Sequence, residues 1–206
     1  MATKAEQRER TREEILRIAT RRFAESGYAG VALEDLVAEA GLTRGALYHH
    51  FGSKQGLFAA VVERAQFAVA EAVERAAAAD VGPLEAFLAG CRAFLEASLA
   101  PEVRRILLVD GPAVLGWGDW RDGDLESSAR LLDAGVAELA EAGVIGSGSL
   151  GTVTTMISGA LNEVAIANAT AAEPERGIDD AVTTLARMIA GLAPAADPGF
   201  AQPPGP

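Results

Sequence analysis

Proline restricts this chain most by where it is missing. Nine occur in 206 residues, and five of them (Pro194, Pro198, Pro203, Pro204 and Pro206) fall at the very end. Inside a helix, proline removes a hydrogen bond and collides with the preceding turn. Long stretches before position 194 are therefore open to helix. Alanine, leucine and glutamate, all strong helix formers, are abundant there. Valine, isoleucine and threonine do not fall in the alternating runs of a strand. The expectation is an all-α protein with a sizeable core, since half of its residues are hydrophobic.

Local signals divide the chain. Thr11 and Glu14 have the spacing of a capping box, so a first helix is expected there, with Ile15, Ala19 and Phe23 on one face and Gly27 ending it. A second short helix fits Leu33 to Ala40, and Thr43 caps a third that reaches about His50. Ser53 caps a fourth from Lys54 to about Ala79, with Leu57, Phe58, Val61, Ala65 and Ala68 facing inward. Pro83 and Pro101 each suit a first helical turn. The Asp- and Gly-rich stretch Asp110–Asp124 reads as a loop or broken helix. Further helices fit Leu125–Ala142, Leu150–Ala171 and Pro174–Leu192. The expected organisation is a disordered arm over 1–10, a helix-turn-helix domain over 11–56, a helical body over 57–193 and a disordered tail over 194–206.

Several classes are disfavoured. One cysteine, Cys91, cannot form an internal disulfide framework and offers no zinc site. The expected setting is a reducing cytoplasm. The opening MATKAEQRERTREE has no apolar leader core. The uncharged run Ala142–Asn162 contains five glycines, which makes it a poor membrane span. The net charge of −11 argues against general nucleic-acid affinity. Its distribution is uneven, however. Residues 1–60 hold nine basic and eight acidic side chains, a net of +1, leaving −12 for the remainder. If DNA is the partner, only the amino-terminal part can meet it.

The informative stretch is Leu33–Phe51, LEDLVAEAGLTRGALYHHF. Two amphipathic helices meet at Ala40-Gly41-Leu42-Thr43, where Gly41 supplies a left-handed turn and Leu42 plugs the angle. This is the helix-turn-helix pattern, whose second helix lies in the major groove with its first residues at base edges. Ala46, Leu47 and Phe51 suit inward packing. Thr43, Arg44, Gly45, Tyr48 and His49 are left for DNA. Arg44 has the fork that matches guanine O6 and N7. Gly45 permits close approach, and Tyr48 and His49 reach phosphates. Lys54 adds a cation at the amides opening the fourth helix.

With Phe23, Gly27-Tyr28, Asp35-Leu36, Ala40-Gly41, Thr43–Tyr48, His50-Phe51 and Lys54–Phe58, the stretch Ile15–Phe58 resembles the DNA-binding domain of the TetR family. The resemblance implies a three-helix head and a helical regulatory and dimerisation body. It implies double-stranded operator DNA and a second copy of the chain as partners, and a small-molecule effector that weakens operator binding. The expected role is a repressor. One departure is clear. The family usually has Ser or Thr before the second helix, whereas this chain has Val31-Ala32. An alanine cap costs about 1 kcal/mol relative to a hydroxyl residue.

In the body, Phe87, Cys91, Trp117, Trp120 and Asn162 are candidates to line a ligand pocket, with core packing as the alternative for the aromatics. Val153, Ile157 and Leu161, with Val182, Leu185 and Ile189, form two apolar helical faces that would make a four-helix interface between two copies. No cofactor is expected. The adjacent His49 and His50 point about 100° apart on a helix, which suits no metal site. An enzyme using Tyr48 or these histidines would lack an accompanying carboxylate pair or nucleophile motif. A head acting through protein contacts alone is the third reading.

Overall fold

The computed structural model describes residues 3–78, 80–169, 171 and 173–194. The first two residues of the expected arm, and all of the expected tail after Pro194, lie outside them. The described residues form α1 (Lys4–Gly30), α2 (Leu33–Glu39), α3 (Arg44–Phe51), α4 (Lys54–Ala77), α5 (Pro83–Leu99) and α6 (Pro101–Arg104). A π-helical turn (Arg105–Asp110) follows, then α7 (Gly111–Leu115), α8 (Trp117–Glu126), α9 (Ser128–Glu141), α10 (Leu150–Asn168) and α11 (Pro174–Ala190). There is no strand among them.

The first helix begins earlier than its sequence suggests. Thr3 is the cap: its side chain accepts from Glu6 N–H at 3.2 Å, and the Glu6 carboxylate accepts from Thr3 N–H at 2.8 Å. The same capping box was expected at Thr11 and Glu14. Thr11 instead sits inside the helix and its hydroxyl donates to Gln7 C=O at 3.0 Å. Residues 4–10 are mostly good helix formers, so nothing stops the helix from extending upstream. Residues 4–10 are thus helical rather than a disordered arm.

Gly27 interrupts α1 with φ 69° and ψ 170°, and the chain then makes one more turn to Gly30. The break leaves backbone groups without helical partners, and the body supplies them. Tyr28 N–H donates to Asp110 Oδ2 at 2.7 Å, and Arg105 Nη1 donates to Glu25 C=O at 3.4 Å. Both partners come from the π-helical turn, so head and body meet at this break.

The head closes over an aromatic cluster. Phe23 and Phe58 meet edge to face with centroids 5.0 Å apart, and Tyr28 approaches Phe58 at 5.1 Å. Leu36, Leu47 and Leu57 are buried around them. Between α2 and α3, Gly41 takes φ 64°, and Leu42 N–H donates to Val37 C=O at 2.9 Å. As expected, Leu57, Phe58, Val61 and Ala65 face the core from α4, but Ala68 is exposed.

Of the two readings of Asp110–Asp124, the structure has the broken helix and not the loop. The π-helical turn closes on Gly111, α7 follows, and only Gly116, with φ 87°, breaks the path before α8. Trp120 holds it in place. Its indole is buried, its Nε1–H donates to Leu107 C=O at 2.8 Å, and its own carbonyl accepts from Gln66 Nε2 of α4 at 3.0 Å. Burying one large aromatic side chain outweighs the weak helix propensity of glycine and aspartate here.

In the body, α5 packs along α4, with α9, α10 and α11 against it. By length and composition α10 could cross a membrane. It instead buries Ile157, Leu161 and Ala165 against its neighbours.

Candidate functional site

Helix α3 is fixed at both ends and along one face. The Thr43 hydroxyl accepts from Ala46 N–H at 3.2 Å, and the next helix is capped by Ser53, which accepts from Gly56 N–H at 2.9 Å. Leu47 is 1% exposed, while Ala46 and Phe51 are half-buried. Thr43, Arg44, Gly45, Tyr48 and His49 are all exposed, as their placement in the sequence predicts. The residues proposed to read DNA therefore share an outward surface at the start of a rigid helix.

Arg44 is not free in that surface. Its Nη1 lies 2.9 Å from Glu34 Oε1 of α2, and its guanidinium sits 6.0 Å from the Tyr48 ring centroid. Both members of the ion pair are more than half exposed, so the pair is worth at most about 1 kcal/mol and exchanges readily for a base. It holds the guanidinium near Tyr48 meanwhile. Lys54 is half-buried, with its ammonium 4.4 Å from the Tyr28 ring centroid. Its position is set by that cation–π contact.

A cationic stripe was missed in the sequence. Lys4, Arg8 and Arg12 recur every fourth residue on the part of α1 read as an arm. Arg12 lies over the Phe51 ring, 5.7 Å from its centroid, at the carboxyl end of α3. Burial, together with the charges of Arg8, His49 and Arg12, holds His50 below the ordinary imidazole range. The four-residue spacing was a legible signal, had the helix been started at Lys4. The rings of His49 and His50 are 5.8 Å apart and inclined by 70°. Among the described residues, no three metal-binding side chains cluster.

A second site lies in the body. A cavity of about 210 Å³ is walled by α4, α5, α9 and α10, with Asp124 from the end of α8. Phe87, Cys91 and Asn162 line it, as proposed from the sequence. The two tryptophans do not. Trp117 is 57% exposed, and Trp120 is core, bonded to Leu107. Of the cavity's polar floor, only Asn162 was foreseen. Asp124 accepts from Asn162 Nδ2 at 3.0 Å and from Arg121, whose other terminal nitrogen donates to Ser158 Oγ at 2.8 Å. Asp124 and Asn162 are 6% and 5% exposed. Burial pushes the Cys91 thiol up to about 12, which leaves it an inert apolar wall.

The proposed dimer faces need correction. Ile157, Leu161, Leu185 and Ile189 are buried within the single chain, and Val153 and Val182 are half-buried. Helical periodicity found these faces but not their partner. Ile157, Leu161, Leu185 and Ile189 complete the core of their own protomer, whereas Val153 and Val182 keep part of their surface.

Comparison with known proteins places the chain. Residues 15–61 match the family model described as bacterial regulatory proteins, tetR family. Residues 84–192 match the Tetracyclin repressor-like, C-terminal domain. The chain belongs to the TetR family of bacterial transcriptional regulators, which are not enzymes. A crystal structure of a TetR-family transcriptional regulator from Pectobacterium atrosepticum is 38% identical and has a TM-score of 0.77. That match covers 93% of this chain and 98% of that one. The HTH-type transcriptional repressor AcnR of Corynebacterium glutamicum is 44% identical over 63 residues, 31% of this chain and 34% of AcnR. The HTH-type transcriptional regulator AcrR of Shigella flexneri is 34% identical over 110 residues, 52% of this chain and 51% of AcrR. The chain thus spans about a third to a half of these curated relatives.

Proposed function

We propose that this chain is a homodimeric, operator-binding repressor whose hold on DNA is released by a small molecule in the body cavity. The observation that carries this reading is α3, capped at Thr43 and packed through Leu47, with Arg44, Gly45, Tyr48 and His49 outward. Arg44 would read a base edge, while Lys54, Tyr48 and His49 would hold phosphates. The near-neutral head and acidic body favour one orientation, with the body away from the phosphates. A protein that binds operator DNA would work in the cytoplasm.

Dimerisation would use the outer faces of α10 and α11, where Met156, Gly159, Ala160 and Met188 are exposed. Small residues at positions 159 and 160 permit close helix approach. Two heads would then sit about 34 Å apart, one turn of DNA. Helix α4 connects cavity and head. Its Val73, Glu74 and Ala77 line the cavity, and its Leu57 and Phe58 are buried under the head. A 24-residue helix is a rod of ~36 Å. Tilting it would change the head spacing, and a ligand favouring the tilted state would shift the population.

The test is selection of fragments from the source genome by the full-length protein, followed by gel shift at increasing salt. A pseudo-palindromic site whose affinity falls steeply with salt supports the reading. Absence of any duplex binding at low salt overturns it.

A further inference from the structure

The body cavity has a chemical character that narrows its ligand. Every charged side chain in its wall is acidic: Glu74, Asp124 and Glu138. Glu74 and Glu138 are exposed, and neither takes part in an ion pair among the described residues. Arg121 is drawn to Asp124 and Ser158 and is not part of the wall. The middle of the cavity is apolar, formed by Phe87, Cys91, Phe94, Leu132 and Leu161.

The buried floor is short of hydrogen-bond donors. Both bonds to Asp124, from Arg121 and from Asn162, go to Oδ2. Asn162 uses its amide nitrogen twice, toward Asp124 and toward Ser158 C=O at 3.1 Å. Among the described residues no donor reaches Asp124 Oδ1 or Asn162 Oδ1. Neither oxygen is sealed off, since Ser98 Oγ is the one fully buried side-chain polar atom without a partner among the described residues, so a ligand donor can take the place of water on them. Burial holds the Asp124 carboxyl above its ordinary range despite Arg121, so the floor is incompletely solvated.

Volume sets the size. An apolar cavity on the order of 150 Å³ accepts a benzene ring. About 210 Å³ therefore accepts one ring with a short substituent.

Resting on the reading of this cavity as the effector site, we infer that its ligand is a one-ring apolar molecule, uncharged or cationic, whose substituent donates hydrogen bonds to Asp124 and Asn162. Carboxylates and phosphates are disfavoured, because Arg121, the cation beside the wall, is already taken by Asp124 and Ser158, and Glu74 and Glu138 repel them.

The experiment is calorimetric titration of the full-length protein with four probes of one shape: benzyl alcohol, benzylamine, toluene and benzoate. Benzyl alcohol and benzylamine should bind about tenfold more tightly than toluene, the worth of one hydrogen bond to an acceptor in the cavity. Benzoate should bind more weakly than all three. In Asn162→Leu the advantage of benzyl alcohol over toluene should shrink to threefold or less. Benzoate binding as tightly as benzyl alcohol, toluene binding as tightly, or no saturable binding by any probe overturns the inference. The ranking uses the native protein alone, so a misfolded Asn162→Leu does not shelter it. Gel shift on the same samples separates the two readings. Should the ranking hold while operator binding ignores the bound probe, the ligand class stands and the effector reading fails. Should benzoate alone release the operator, the effector reading stands and the ligand class fails.

Discussion

Replacing Asp110 by alanine removes the acceptor that closes the break in α1. Asp110 Oδ2 takes Tyr28 N–H at 2.7 Å, and its carboxylate lies 3.7 Å from Arg105 Nε. Gly27 has already taken Tyr28 N–H out of the helical ladder, so no backbone carbonyl waits to replace Asp110. A hydrogen bond to a charged group contributes about 1.5–3 kcal/mol. The Asp110 side chain is 19% exposed, so water can partly compensate, and the lower half of that range applies. A loss of about 1.5–2 kcal/mol in a domain of this size lowers Tm by roughly 3–8 °C. Asp110→Asn keeps a neutral acceptor and should lose about half as much. Because the bond joins α1 of the head to the π-helical turn of the body, Asp110→Ala should also weaken ligand control of DNA binding. The assays are scanning calorimetry and operator titration with and without bound ligand. An unchanged Tm in Asp110→Ala would refute the reasoning, since it would mean the break in α1 needs no partner from the body.

Ala32→Ser supplies the side-chain cap that α2 lacks, and should raise stability by about 1 kcal/mol while tightening DNA binding, read by melting and gel shift. Arg8→Ala should weaken all duplexes alike and lower the slope of log affinity against log salt by about 0.9 per subunit, if Arg8 meets a phosphate; an unchanged slope places it off the DNA. His50 is held below its ordinary pKa, so the folded state resists its protonation. Its contribution is complete above the unfolded value near 6.5 and is lost as pH falls below it. Tm should therefore fall between pH 7 and 5.5, and less so in His50→Gln.

The helix-turn-helix was legible because its signals are local. Gly41 needs a positive φ, Thr43 and Ser53 cap the helices that follow them, and Leu47 alternates with outward residues within a single turn. Where two local signals compete, the sequence does not rank them. Thr3-Glu6 and Thr11-Glu14 have equal spacing, and the upstream one prevails because nothing halts the helix between them. Distant partners were harder still. Asp124 looked like one more loop aspartate until α10 brought Asn162, 38 residues away, against it. Trp120 turned a glycine-rich stretch into helix by finding a carbonyl at Leu107 and an amide at Gln66. The apolar faces of α10 and α11 show the same limit. Periodicity reveals that a face will be covered, and only the packed chain reveals that Ile157 and Leu185 are covered from within.

The central claim is that the exposed start of α3 reads a base sequence. Its most direct measurement is the affinity ratio between a selected operator and a scrambled duplex of equal length, for the native protein and for Arg44→Ala. Loss of a bidentate contact to a base is worth about 1–3 kcal/mol of discrimination in each half-site. The ratio should therefore fall at least tenfold, while affinity for the scrambled duplex changes little. An unchanged ratio in Arg44→Ala would contradict the account, because the helix that the fold holds outward would then not be the one that reads DNA.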